Sequence, residues 1–295
     1  MRALRLIALA GGIWLAVLVV FLVVLASLRG SEGGGPPAFG PQVAIVEVEG
    51  IILDVDELLR DLRRHRENPL VRAVVIRINS PGGVVGPTQE VHQALKRLRE
   101  SGKPVVASLG AVAASGGYYI AVAADQIYAN PGTLTGSIGV IMQMANLEAL
   151  FKKVGVDYVV VKAGQFKDIG NLSRPMTPEE RRVLQALLDD VHGQFIRAVA
   201  DGRSLDAGAV RSFADGRIFS GAQAKDLKMI DALGGLEDAV NRAAAMAGLS
   251  VPPRVIPPRK RLSIFDLVKS QLGALSPAGL TPSLPVFKTP LYLMD

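Results

Sequence analysis

The sequence predicts an α/β domain, a mostly parallel sheet with flanking helices, preceded by one N-terminal transmembrane helix. Three features carry that expectation. Apolar, β-branched runs alternate with segments of helical period between residues 43 and 247. Two glycine-rich turns, Asn79-Ser80-Pro81-Gly82-Gly83 and the stretch 110–117, each follow an apolar run and open a helix. Residues 6–28 are apolar apart from glycines and one serine, without a charge.

Along the chain, residues 6–28 span roughly 34 Å as a helix, enough to cross a bilayer core. Arg2 and Arg5 precede the stretch and Arg29 alone follows closely, which puts the N-terminus in the cytoplasm and the bulk of the chain on the extracytoplasmic side. Residues 1–29 therefore read as an anchor. The alternative is a cleaved signal peptide with Val24-Leu25-Ala26 at the cut, although the apolar regions of such peptides are about 7–15 residues long. Residues 30–42, rich in glycine and proline, form a flexible linker. Residues 43–48 alternate as a strand, and Asp54 caps a helix to about residue 67 with Leu58, Leu59 and Leu62 on one face. A strand at 71–78, a helix at 84–100, a strand at 104–109 and a helix at 112–123 follow. Short strands are expected at 126–129 and 138–142, a helix at 147–154 and a strand at 157–161. A loop then leads to a long helix at 178–200, with shorter helices at 207–213, 221–227 and 236–247. Residues 43–250 make one domain. From 251 to 295 prolines interrupt any period; this stretch reads as an extended or disordered tail with one short helix at 263–272. Its end, Pro290-Leu291-Tyr292-Leu293-Met294-Asp295, suits packing on a neighbour or filling a groove as a product-like peptide.

Composition removes several classes of function. The 295 residues carry a net charge of +6, but the basic residues are scattered apart from Arg259-Lys260-Arg261, and no aromatic residues interleave with them, so nucleic acid is not an expected partner. The absence of cysteine excludes disulfides, thiolate zinc sites and a cysteine nucleophile. The 3 histidines, His65, His92 and His192, all fall inside expected helices, away from the glycine turns. A Ser-His-Asp triad thus has no base, Gly-x-Ser-x-Gly does not occur, and neither a metal nor another cofactor is expected.

The remaining chemistry sits in Ala113-Ala114-Ser115-Gly116-Gly117-Tyr118-Tyr119. Taken alone, this reads first as a helix start capped by Ser115 with glycines for close packing. It also suits a nucleophile. A serine there lies beside free backbone N–H groups, with Gly116 supplying one and Gly83, in the other turn, a second for an oxyanion. A serine nucleophile needs a base, and lysine is the candidate left. Lys167, in Gly164-Gln165-Phe166-Lys167-Asp168-Ile169, is by itself an ordinary solvated loop lysine. A free lysine is almost wholly protonated at neutral pH, so a base role demands desolvation, for which Phe166 or Tyr118 could provide cover. Asp168 would oppose it unless it points the other way.

Together these segments resemble the signal peptide peptidase family of the SppA type, within the Clp protease and crotonase superfamily. Beside the two turns and the Lys167 loop, Leu134-Thr135-Gly136-Ser137-Ile138-Gly139-Val140, and Asp215-Gly216-Arg217 followed by Gly221 and Ala224, occur in the family's order. The resemblance implies a Clp protease/crotonase-like fold, Ser115 as nucleophile, Lys167 as general base, Gly83 and Gly116 as oxyanion hole, and Ser137 as the residue that helps hold the lysine amine. By itself Ser137 is a turn serine between glycines. The resemblance further implies that this is the short, single-domain form, a homo-oligomer in which serine and lysine of neighbouring protomers meet. Cleaved signal peptides at the membrane are the implied substrates. The alternatives are a quality-control peptidase that cuts membrane proteins and a crotonase-like acyl-CoA enzyme.

Overall fold

The computed structural model describes residues 40–258 and 291–293. Two long strands rich in small and β-branched residues form the middle of its sheet, β2 (Val71–Ser80) and β4 (Val105–Ala114). β1 (Gln42–Glu49) lies parallel to β2 on the other edge and itself carries the parallel β9 (Val255–Ile256). The outer edge of β4 is shared. Its first half pairs with β5 (Gln126–Ala129), which continues to β8 (Ala232–Leu233). Its second half pairs with β6 (Leu134–Gly136), whose far edge holds the antiparallel β7 (Ile218–Ser220). Gly110 lies where the sharing changes over, and its carbonyl accepts the Thr133 hydroxyl at 2.7 Å.

The strands alternate between two apolar faces, as a sheet covered on both sides requires. Ala44, Val46, Val74, Ile76, Ala107 and Leu109 belong to the larger core. That core includes residues of α1 (Asp56–Glu67), α2 (Val85–Glu100), α3 (Gly116–Ala121) and α5 (Pro178–Arg203). Val43, Ile45, Ala73, Val75 and Val106 face the other way, under α8 (Leu236–Met246). The remaining helices are α4 (Glu148–Val154), α6 (Ala207–Arg211) and α7 (Gly221–Asp226). The expected α/β architecture with a mostly parallel sheet is thus observed, and no helix among the described residues is long and apolar enough to cross a membrane. The expected anchor at 1–29 and the helix at 263–272 lie outside the described residues.

Several expected elements differ. The helix expected at 112–123 starts only at Gly116, because Val112–Ala114 stay in the sheet: Ala113 pairs with Ser80 and Val112 with Leu134. Tertiary pairing there overrides the helical propensity of alanine. The strand expected at 138–142 is instead at Leu134–Gly136, ending at the left-handed Gly136. Asp54 does not cap α1; Val55 holds the N-cap position, and the Asp54 carboxylate accepts the Asp56 N–H at 2.9 Å. Residues 157–161, expected as a strand, have no regular structure and are exposed, Val161 at 96 %. Within the region read as a tail, Val255–Ile256 joins the sheet and Leu291–Leu293 forms a strand, β10, on the short strand β3 (Gly82–Val84).

Candidate active site

Three neighbouring strands, β2, β4 and β6, end side by side, and each end carries one part of the expected site. At the end of β2 the chain turns through Pro81 into β3, with the Gly82 N–H donating to the Ser80 hydroxyl at 3.1 Å. β4 delivers Ser115 and β6 delivers Ser137. The Ser115 N–H donates to the Gly136 carbonyl at 2.7 Å, which ties the last two ends together.

Ser115 has φ 52° and ψ −116°. Non-glycine residues seldom adopt positive φ; holding one there costs about 1–3 kcal/mol and persists only where the surroundings impose it. Here they do, because β4 must leave the sheet and enter α3 within one residue. Only four non-glycine residues among those described have positive φ, and two are Ser115 and Ser137, the two serines singled out from sequence. Ser115 is fully buried, makes no side-chain cap bond, and its Oγ has no hydrogen-bond partner among the described residues. Ser115 does stand at the N-cap position of α3, before closely packed glycines, but its hydroxyl makes no cap bond. An unpartnered buried hydroxyl costs about 1–3 kcal/mol, a second cost at the same residue.

Gly83 and Gly116 face each other beside it. A Cβ on Gly116 would stand 3.1 Å from the Gly83 nitrogen and 2.9 Å from the Thr88 hydroxyl. A Cβ on Gly83 would stand 2.1 Å from the Ile52 carbonyl oxygen. Neither position has room for a side chain, and their backbones approach closely next to Ser115. The structure thus brings together Ser115, Gly116, Gly83 and Ser137.

It does not bring Lys167 to them. Lys167 is exposed on a turn, its N–H donating to the Gly164 carbonyl at 3.2 Å, and no amine among the described residues reaches the Ser115 hydroxyl. Tyr118, expected as possible cover for the lysine, is fully buried, donates its hydroxyl to the Met229 carbonyl at 2.8 Å, and has its phenol pKa pushed up by burial. No histidine substitutes as base. His92 packs edge-on against Tyr119 with ring centres 4.9 Å apart and has its pKa pushed down to about 4, first by burial; His192 meets the Ile138 carbonyl at 3.2 Å.

Sequence reasoning missed what holds the Lys167 loop. The Asp168 carboxylate bonds Lys162 and Arg174, the latter at 2.9 Å. Arg174 makes two parallel bonds to Glu180, at 2.5 and 2.9 Å, a strong charge-assisted geometry. Glu180 in turn closes the capping box of α5 with Thr177. The Lys162 bond holds the Asp168 carboxyl down at about 2, with Arg174 assisting, and the Arg174 fork holds Glu180 at about 2. Only the last link, the capping box, left a sequence signal, Thr177-x-x-Glu180 before an apolar run.

The family model for Peptidase family S49 matches residues 97–250. The chain belongs to that family. The matched stretch includes Ser115, Gly116, Ser137 and Lys167, while Gly83 precedes it. A Synechocystis sp. protein named as a protease is 49 % identical over 210 residues, 70 % of this chain and 75 % of its own length. An Enterococcus faecium protein named for a signal peptide peptidase, SppA, is 33 % identical over 217 residues, covering 69 % of this chain and 63 % of its own. The Arabidopsis thaliana chloroplastic serine protease SPPA is 34 % identical over 219 residues, 74 % of this chain but 31 % of that protein. The SppA resemblance is borne out, and the chain is a serine peptidase; the acyl-CoA alternative falls with that membership.

Proposed function

We propose that this chain is a membrane-anchored endopeptidase in which Ser115 attacks the peptide carbonyl and Lys167 is its general base. The observation that carries the reading is the Ser115 hydroxyl, buried, unpartnered and strained, beside the backbone of Gly83 and Gly116. The uncharged Lys167 amine takes the hydroxyl proton as the carbon–oxygen bond forms. Negative charge gathers on the former carbonyl oxygen, where the Gly83 and Gly116 N–H groups donate to it. The lysine returns the proton to the leaving amine, and water then hydrolyses the acyl-enzyme by the same route. Ser137, buried at the adjacent strand end, holds the lysine amine. No metal or other cofactor enters the reaction.

Because Lys167 of the same chain is exposed and away from Ser115, the dyad forms between copies, with the lysine arriving from a neighbouring protomer. Residues 157–161, Asp-Tyr-Val-Val-Val, support this reading. They are a strand-forming, apolar run left exposed within one chain, just before the lysine loop. The protease domain, residues 43–250, stands outside the membrane on the anchor at 1–29 and linker at 30–42, which keeps the site where apolar peptides such as cleaved signal peptides collect. Whole membrane proteins are the competing substrates; profiling cleavage with and without the anchor separates the two. A fluorophosphonate probe tests the nucleophile: the wild type labels and Ser115→Ala does not, whereas equal labelling sinks the assignment. A base that acts only when uncharged makes activity rise with pH; a flat profile rules out such a base.

A further inference from the structure

Ser137 sits at φ 50°, so a neighbouring part of the chain must impose its backbone. That part is the segment 213–219. The Ser137 N–H donates to the Arg217 carbonyl at 2.8 Å. A Cβ on Gly136 would stand 2.6 Å from Cδ2 of Phe219 and 3.2 Å from the Arg217 carbonyl oxygen, and a Cβ on Gly139 would stand 3.3 Å from Cα of Gly216. The turn that carries Ser137 is thus laid directly against residues 216–219. Phe213 and Phe219 anchor the segment at its two ends: both are buried, and their rings meet edge to face with centres 6.3 Å apart. Between them residues 215–218 are exposed, so core packing does little to fix their peptide planes. Asp215 does that instead. Its carboxylate accepts the Arg217 N–H at 3.2 Å and the Arg217 Nε–H at 2.8 Å, and takes a further bond from Nη2. Gly216, at φ 92°, lets the chain turn back far enough for one carboxylate to reach both. The Arg217 guanidinium holds the Asp215 carboxyl down at about 2, so the clasp stays ionised near neutral pH.

We propose that Asp215 is a positioning residue for the reaction: it fixes the Arg217 carbonyl, that carbonyl fixes Ser137, and Ser137 fixes the lysine amine beside Ser115. The inference rests on the reading in which Ser137 holds that amine. Asp215 acts through Ser137 and not on the reacting atoms. An exposed ion pair adds little to the stability of a fold; what this one supplies is direction. Misplacing a reacting group by about 1 Å costs on the order of 100-fold in rate, so slackening a turn two links away from the amine costs less, about tenfold. The same slackening changes the surroundings of the amine. Held less firmly, it is better solvated and keeps its proton to higher pH.

The test compares the full chain with Asp215→Ala, Asp215→Asn, Ser137→Ala and the double variant of Asp215→Ala with Ser137→Ala, by cleavage of a fluorogenic apolar peptide across pH. Asp215→Ala, at an exposed position that leaves folding intact, lowers kcat about tenfold with KM unchanged. It also moves the rising limb of kcat/KM to higher pH by about half a unit, which a purely structural change would not do. Asp215→Asn keeps an oxygen that accepts the Arg217 N–H and stays within about threefold of the wild type. In the Ser137→Ala background Asp215→Ala costs nothing further, because the path it acts through is gone. The same factor lost with Ser137 present and absent overturns the proposal. So does a deficient Ser137→Ala beside a fully active Asp215→Ala, which leaves the role of Ser137 standing. A Ser137→Ala chain with the rate and pH profile of the wild type removes the role of Ser137 itself, and this inference with it.

Discussion

The ends of β2, β4 and β6 differ in every physical respect from the segment 155–176 that carries Lys167. The strand ends are buried, tied to one another by backbone bonds, and hold two serines at positive φ. The other segment is largely exposed, lacks regular structure after α4, and is fixed through side-chain ion pairs between Lys162, Asp168, Arg174 and Glu180. One region is made rigid by the core of a single chain. The other is shaped but left facing outward, with an apolar run beside it. On the proposed function, the difference means that a single chain completes the nucleophile and its anion-binding surroundings, while the base is presented outward to a second copy.

The sharpest way to break the rigid half is to fill it. Gly83→Ala sets a methyl against the Ile52 carbonyl, so β3 must shift; activity falls on the order of 100-fold and stability by about 1–3 kcal/mol. Steady-state kinetics and a denaturant titration measure the two, and an unchanged rate would separate Gly83 from the oxyanion. Breaking the outward half acts differently. Val161→Asp, at a fully solvated position, leaves the melting behaviour of the chain within about 0.5 kcal/mol, yet lowers activity about tenfold or more by disfavouring assembly. Sedimentation shows smaller particles; an intact assembly with full activity contradicts a role for this run.

Smaller effects sharpen the contrast. Ser115→Gly relieves the positive φ and removes the unpartnered hydroxyl, so it raises stability by about 1 kcal/mol while abolishing labelling. A loss of stability would mean that the strain is absent. Glu180→Gln weakens the fork from Arg174 and loosens the lysine loop, lowering activity a few-fold with little change in the core. The acid response follows from the same groups. Asp168 and Glu180 are held at about 2, below the unfolded values near 4. Their contribution to holding the loop is complete above about pH 4 and is lost as pH falls towards 2. Amide exchange of residues 157–176 should therefore quicken in that window before exchange of β2 and β4 does.

The legibility of the sequence follows the same division. Runs such as Val71–Ser80 are β-branched and covered on both faces, so their identity as strands was plain from local pattern. Ala113-Ala114-Ser115-Gly116-Gly117 marked the site by its chemistry, but the strand-to-helix boundary within it depended on pairing with Ser80 and Gly136, residues distant in sequence. The segment 157–161 had a strand's composition but no strand partner among the described residues, and composition cannot supply a partner. The ion-pair network was hidden because Asp168, Arg174 and Glu180 recur at intervals of six, a spacing that signals nothing until the loop folds back on α5. Val255–Ile256 and Leu291–Leu293 lay among prolines, where two or three residues of extended chain leave no periodic trace.

Subunit complementation tests the division between the two halves most directly. Ser115→Ala and Lys167→Ala chains, each inactive, are dissociated, mixed and reassembled, and mixing is verified by mass. Peptidase activity returning in the mixed assemblies, in proportion to the junctions that pair an intact serine with an intact lysine, is the predicted result. Verified mixed assemblies that stay inactive would place base and nucleophile in the same chain and contradict the account.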